Sequence, residues 1–258
     1  MGARTIFITG CGTGIGAATA RLFAKNGWTV GGCDVDASRL QALQKELGSE
    51  RFTCCYVADV RNRASITQAV ETFAGASGGR LDAVFANAGV LFMGPDDQLK
   101  PEQKDLLVDV NVKGVIHTLD AAMPFLKNAA PGSHAVAMCS TSAEYGSPHH
   151  AVYSATKFFV RGYTEALNIE YRRQGINVSA VYVSYVNTSM VSGANFRPAS
   201  VDRLGVKATA DDVARRVWQA VHGQRSHWRV GLDARLTHFA VRLLGSWAAP
   251  IYARLTGL

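Results

Sequence analysis

The sequence predicts an α/β fold in which a doubly wound parallel β-sheet is covered by helices on both faces. Three observations carry that expectation. Short β-branched or apolar runs alternate with longer stretches of helical period, closely spaced glycines fall at the first strand-to-helix boundary, and no Pro/Gly/Ser-rich linker or low-complexity segment interrupts the 258 residues. We therefore read 1–258 as a single domain, with an atypical basic amphipathic segment over 232–258.

In chain order, the run TIFIT reads as a strand followed by a helix over 15–26, WTVGGC precedes a helix over 37–47, and FTCCYVA precedes one over 62–76. LDAVFA leads into a helical stretch over 101–127, HAVAMCS into 152–173, and INVSAVYV into 209–222. Within the first helix Ile15, Ala18, Thr19, Leu22 and Phe23 recur at helical spacing until Gly27 supplies a stop.

Composition excludes several classes. An apolar content of 48% supports a sizeable core, and no run approaches the roughly 18 apolar residues of a membrane span. The N-terminus lacks a secretory pattern, so the expected compartment is the cytoplasm. Cys11, Cys33, Cys54, Cys55 and Cys139 form an odd set without a C-x-x-C pair, which reads as buried thiols rather than disulfides. No histidine shows metal-ligand spacing, and no metal is expected.

The net charge of +7 is unevenly placed. Residues 197–258 hold ten Lys and Arg against four Asp and Glu, whereas residues 1–196 are almost balanced. The arginines are isolated rather than clustered, so the charge reads as a solvated surface and not as a nucleic-acid patch.

The stretch FITGCGTGIG places Gly10, Gly12, Gly14 and Gly16 at every second position between the first strand and the first helix. There the helix's first N–H groups and positive dipole end face outward, and missing side chains let a pyrophosphate approach the backbone. Asp34 follows eighteen residues after Gly16, at the end of the second strand. A carboxylate there can accept hydrogen bonds from ribose hydroxyls and repels a 2′-phosphate; its other reading is a helix-terminal Asp, a place that Asp36 can fill. YSATK sets Tyr153 and Lys157 one helical turn apart on one face, so that phenol and ammonium can converge. A nearby cation depresses a phenol pKa from its usual value near 10.

The T-G-x-x-x-G-I-G spacing from Thr9 to Gly16, together with Tyr153 and Lys157, resembles the short-chain dehydrogenase/reductase family, whose fold is a single-domain Rossmann fold. Further pieces stand at that family's spacings over roughly residues 4–230. By the resemblance, Gly10, Thr13, Gly14, Ile15 and Gly16 form a cofactor loop, and Asp59 and Val60 of ADV contact the adenine. Asn87, Ala88 and Gly89 of ANAG form the turn after the fourth strand, where Ala86 replaces the usual first Asn. Val186 and Thr188 hold the nicotinamide carboxamide.

The same resemblance makes Asn111, Ser140, Tyr153 and Lys157 a catalytic tetrad, with Asn111 supporting a water-linked proton relay and Ser140 orienting the substrate oxygen. Tyr153 and Lys157 also touch the cofactor. It implies NAD rather than NADP because Asp34 is acidic and no Arg or Lys occupies 11–16 or 35–38. It further implies a small-molecule alcohol or ketone as substrate and a homodimer or homotetramer as assembly. The expected reaction is reversible hydride transfer between a secondary alcohol and NAD(H). An NADP-dependent carbonyl reductase and a non-catalytic dinucleotide-sensing or scaffolding protein stay open as alternatives.

The candidate pocket segments 91–99, 143–151 and 185–205 contribute Phe92, Met93, Tyr145, Tyr185, Met190 and Phe196, a lining that suits an apolar or aromatic substrate. Two departures from the family pattern stand out. Val183 and Ser184 replace its Pro-Gly after the sixth strand, and the C-terminus lacks its short strand ending in Asp-Gly-Gly. In place of that strand Leu236, Phe239, Ala240, Leu243, Leu244 and Trp247 make an apolar helical stripe flanked by Arg235 and Arg242. The stripe is expected to pack on its own subunit or on a dimer partner, with a membrane surface as the alternative.

Overall fold

The computed structural model describes residues 3–188, 196, 201 and 205–247. Seven parallel strands form one sheet in the order β3-β2-β1-β4-β5-β6-β7. They are β1 (Thr5–Thr9), β2 (Thr29–Asp34), β3 (Phe52–Val57), β4 (Ala83–Ala86), β5 (Ser133–Met138), β6 (Ile176–Tyr182) and β7 (His227–Arg229). The helices are α1 (Gly14–Lys25), α2 (Ala37–Leu47), α3 (Arg63–Ala76), α4 (Pro101–Val108), α5 (Gly114–Ala129), α6 (Ala151–Arg172), α7 (Ala210–Val221) and α8 (Gly231–Leu244).

The sheet is buried on both faces, which is why its strands read as continuous apolar runs. Side chains alternate across β1: Ile6 and Ile8 pack with Phe23 and Phe85 on the face that also holds Val217 of α7. Phe7 packs instead with Phe73, Val84, Leu119 and Leu126 on the opposite face. Burying each such side chain contributes about 1.5–3 kcal/mol. Trp28 meets Phe23 and Trp218 edge-on at centroid distances of 5.0 and 6.0 Å, which joins α7 to α1.

Two glycines inside β2 have a packing reason. A side chain on Gly31 would collide with the Phe73 ring, and one on Gly32 with Cys11 Sγ and the Ile8 carbonyl. Asp36 is the N-cap of α2, accepting from the backbone N–H groups of Ser38 and Arg39, which leaves Asp34 for another use.

The expected helix over 101–127 is interrupted. Residues Asp109–Lys113 form a π-helical turn between α4 and α5. Local tertiary contacts favour the irregularity: Gly114 lies against Val60, where any side chain would clash, and the Asn111 amide is drawn out to the Val90 backbone. A sequence pattern of helical period cannot distinguish this turn from continuous α-helix.

The expectation of a missing C-terminal strand is corrected by β7, which pairs with β6 in parallel from Ala180–His227 to Tyr182–Arg229. Three residues suffice because Arg229 is anchored by its side chain. Glu144, whose side chain is only 3% exposed, binds Arg161 of α6, Arg229 of β7 and His238 of α8 at 2.8, 2.8 and 2.9 Å. His238 Nδ1 lies within reach of both Glu144 Oε2 and Arg229 Nη2; it donates to the carboxylate when protonated there and accepts from the guanidinium otherwise. The expectation that the α8 stripe packs on its own subunit is also corrected, since Leu236, Phe239, Leu243, Leu244 and Trp247 are exposed. On this helix Ala234 is the buried residue.

Cys11, Cys33 and Cys139 are buried thiols, and burial pushes the pKa values of Cys33 and Cys139 up to about 12. They behave as small apolar side chains.

Burial of Glu144 disfavours its ionised form, but hydrogen bonds from His238 and Arg229 and their charges outweigh this and hold its pKa below the ordinary 4.5. The stabilisation is therefore present above that value and is lost as pH falls through the lower, folded one. Glu144→Gln is expected to cost about 2–3 kcal/mol at neutral pH by removing the carboxylate that pairs Arg229 and one of the two that pair Arg161. Thermal melts of the two proteins should converge as pH falls through the lowered folded-state pKa of Glu144, where the wild-type carboxyl is itself neutralised.

Candidate active site

The strand order reverses between β1 and β4, and a crevice opens outside the carboxyl ends of the strands on either side of that point. It forms a cavity of about 540 Å³. One end is lined by Gly10, Thr13, Gly14, Ile15, Asp34 and Arg39; the other by Ser140, Tyr145, His150, Tyr153 and Tyr185, with Lys157 and the Asn87–Gly89 turn between.

The glycine loop is shaped by close approach. Gly10 has φ of +65°, and a side chain there would come within 2.9 Å of Ala88 Cα. A side chain on Gly16 would strike the Gly10 carbonyl. Thr13 heads α1 without a side-chain hydrogen bond, so the first amides of the helix and its positive dipole end point into the crevice. Such a loop and helix N-terminus could hold a diphosphate.

Asn87 holds that loop in place. Its Nδ2 donates to the carbonyls of Thr9 and Gly10 at 2.9 and 3.0 Å, while Thr9 Oγ1 accepts from the N–H groups of Asn87 and Ala88. Asn87 thus lines the cavity with its amide donors already committed.

At the far end of the loop Asp34 Oδ2 accepts from Gly12 N–H at 2.9 Å and Oδ1 from Asp36 N–H at 3.1 Å. Each oxygen retains a further acceptor position facing the crevice. Arg39, one residue beyond 35–38, also lines this end; its Nε pairs with Asp36 at 2.9 Å. Its signal was available, since α2 carries it one turn from Asp36. Asp59 is held by Arg61 at 2.6 Å, and those hydrogen bonds keep its carboxyl below the usual range despite partial burial. Val60 lies beside it in the lining, and Val60 is also the residue on which Gly114 packs.

The other end gathers the tyrosine, lysine and serine. Tyr153 and Lys157 lie on the inner face of α6, with Lys157 Nζ 5.5 Å from the Tyr153 ring centroid. Lys157 is 4% exposed; its Nζ donates to the Met138 carbonyl at 3.0 Å, and burial lowers its pKa. Burial raises the Tyr153 phenol pKa, and the hydrogen bond with Ser140 opposes the rise only in part. The ammonium lies over the ring and donates to the Met138 carbonyl. Ser140 follows the end of β5, where its Oγ accepts from Ser142 N–H at 3.2 Å.

Asn111 binds backbone with its side chain. It is fully buried in the π-turn, with Oδ1 accepting from Val90 N–H and Nδ2 donating to Val90 O, both at 2.9 Å. Its side chain is a clamp on the chain after β4, close to Gly89, against which both Asn111 Oδ1 and Lys157 Nζ come near.

The segment after β6 keeps the cavity wall despite the missing Pro-Gly. The Val183 carbonyl accepts from Thr141 N–H at 3.0 Å, and Val186 bridges Ala208 in parallel. Thr188 stands over the start of α1, its Cγ2 3.4 Å from where a Gly14 side chain would begin.

Of the expected pocket residues, Tyr145 and Tyr185 line the cavity, whereas Phe92 and Met93 do not. Phe196 packs on His149 instead, at a centroid distance of 5.2 Å, and Met190 lies outside the described residues. Leu91, Leu106 and Val110 supply the apolar lining in their place. The mismatch arises because side chains along an irregular loop alternate in direction with no period readable from sequence. Sequence reasoning also missed His150, three residues before Tyr153. Its Nε2 lies 3.5 Å from Tyr185 Oη, and burial lowers its pKa, so it faces the cavity neutral.

The family model for short chain dehydrogenases matches residues 4–197. The chain belongs to that family. Among curated short chain dehydrogenase relatives, it is 34% identical to "Oxidoreductase UcpA" of Salmonella typhimurium over 188 residues, 72% of this chain and 71% of that one. Among solved structures, it resembles a 3-ketoacyl-(acyl-carrier-protein) reductase from Brucella melitensis complexed with NADH, with TM-score 0.78 and 27% identity over 89% of this chain and 97% of that one. A gluconate 5-dehydrogenase from Burkholderia cenocepacia in complex with NADP and tartrate has TM-score 0.79 and 25% identity, covering 92% and 96%. The protein is therefore an α/β oxidoreductase of the short chain dehydrogenase family.

Replacing Asn111 by Ala would strand the Val90 N–H and carbonyl inside the protein. The expected loss is about 2–4 kcal/mol of stability, read as a lower urea midpoint with little change in slope.

Proposed function

We propose that this protein interconverts a secondary alcohol and a ketone with NAD(H), with an apolar or aromatic substrate. The observation that carries the reading is the convergence of Tyr153, Ser140 and Lys157 at one end of a cavity whose other end is a diphosphate cradle closed by a carboxylate. The cradle fits a dinucleotide because the Gly10 and Gly16 positions leave no room for a side chain between the first loop and the Asn87–Ala88 backbone. When bound, the nicotinamide supplies the hydride or accepts it.

The protein's own groups handle the oxygen and its proton. The raised pKa of Tyr153 leaves its hydroxyl protonated at neutral pH, ready to donate to a carbonyl oxygen during reduction. In the reverse direction the deprotonated phenolate of Tyr153 accepts the alcohol proton and becomes the phenol; the hydrogen bond with Ser140 favours that form, as the positive charge of an oxidised nicotinamide would. Ser140 orients the same oxygen. Lys157, buried and directed by Met138, is placed to bind a ribose hydroxyl beside Tyr153. The Asn111 clamp maintains the π-turn, which leaves main-chain groups out of α-helical register beside Lys157, so the proposed water-linked relay runs through backbone there. We also propose one domain over 1–258.

Tyr153→Phe should lower kcat by at least a thousandfold while NADH binding, followed by fluorescence, changes less than about threefold. Comparable turnover in the variant would overturn the assignment.

The NADP reading has one observation in its favour, the presence of Arg39 in the lining. Asp34 argues against it, since a 2′-phosphate would meet a carboxylate fixed by two backbone N–H groups. Parallel titrations should show NADH binding at least tenfold tighter than NADPH, and Asp34→Ala should narrow or invert that ratio.

A further inference from the structure

Helix α8 turns its apolar face away from the protein. Successive helical residues lie about 100° apart, so Leu232, Leu236, Phe239 and Leu243 fall within about 60° of one another. Ala234, which is buried, and His238, which is bound to Glu144, lie on the opposite side. The four apolar side chains are 74%, 67%, 63% and 68% exposed, and Trp247 in the turn that follows is 79% exposed. With Leu244 they make up six of the twelve large exposed hydrophobics among the described residues, which distinguishes a patch from ordinary scatter.

The border of this stripe is basic. Arg235 and Arg242 are exposed along the same border of the stripe. From Ala234 to the end, the chain carries three arginines and no acid, and Asp233 at the start of the helix is the sole Asp or Glu after Asp212. A second copy of the chain seated on this face would bring Arg235 and Arg242 against their own counterparts, with no carboxylate on the stripe to pair them. A surface of anionic headgroups neutralises both, while the boundary beneath accepts the leucines and Phe239 and suits the amphipathic indole of Trp247. Among the described residues no helix is long and apolar enough to cross a membrane, so the contact is one of lying on a bilayer.

We propose that α8 docks in the plane of an anionic lipid bilayer, with Leu232, Leu236, Phe239, Leu243 and Trp247 entering the headgroup boundary and Arg235 and Arg242 meeting phosphates. The helix is mounted for this role by its polar side. His238 ties it to Glu144, whose neighbour Tyr145 lines the active-site cavity, so the docked face and the cavity wall share one anchor.

The full-length protein is sedimented with phosphatidylcholine vesicles and with vesicles containing about 30% phosphatidylglycerol, beside Leu236→Ser/Phe239→Ser and Arg235→Gln/Arg242→Gln variants. All four side chains are exposed, so unchanged melting temperatures certify the folds. The expected result is partitioning onto the anionic vesicles, weakened about thirtyfold by loss of the two arginines and abolished in the apolar variant. Failure to sediment with anionic vesicles, or equal sedimentation of wild type and apolar variant, overturns the proposal. Loss of a dimer in the apolar variant by analytical ultracentrifugation, without vesicle binding of the wild type, assigns the face to a second copy and also overturns it. None of these readouts depends on turnover.

Discussion

The site depends on one small polar latch across the point where the strand order reverses. Thr9 ends β1 and Asn87 follows the end of the adjacent β4, and four hydrogen bonds linking Thr9 and Gly10 to Asn87 and Ala88 join the glycine loop to the turn after β4. At such a reversal the flanking connections leave on opposite faces of the sheet, so a crevice is unavoidable; its width is set by what ties the two ends together. The latch brings Gly10 so close to Ala88 that only glycine fits. The open amides of α1 then face a narrow slot rather than bulk solvent, where their partial charges act at short range and low dielectric.

Burial sets the chemistry at the other end of the slot. Lys157 and Tyr153 lie on the inner face of an amphipathic helix, where a charged ammonium survives because the Met138 carbonyl accepts from it. The same burial keeps the phenol protonated in the protein alone. In the proposed reaction the phenol is therefore the proton donor, and any shift toward a base comes from charge brought in beside it. Asn111 serves this end indirectly, as its clamp on Val90 holds the π-turn against the strand that carries the Asn87–Gly89 turn.

Glu144 performs a comparable task on the far side. Its carboxylate draws together α6, β7 and α8, three elements that share no backbone pairing except through the sheet edge. A strand of three residues is marginal by itself, and the buried ion cluster accounts for its persistence.

Periodicity and spacing made much of this legible in the sequence. The alternation of runs determined the α/β architecture and nearly every element boundary, since strands buried on both faces and amphipathic helices write different periods. The glycine spacing, Asp34, and the one-turn interval between Tyr153 and Lys157 likewise placed both ends of the cavity, because each depends on local geometry. Other features required the fold: that Asn87 and Asn111 spend their amides on backbone, that Arg39 and His150 line the cavity, that β7 exists, and that the α8 stripe faces outward. Each is fixed by a partner distant in the chain, and a one-dimensional pattern carries no term for which distant groups meet. The direction of the Tyr153 pKa belongs to the same class, for it is decided by the balance of burial against neighbouring charge, a quantity that only the assembled protein possesses.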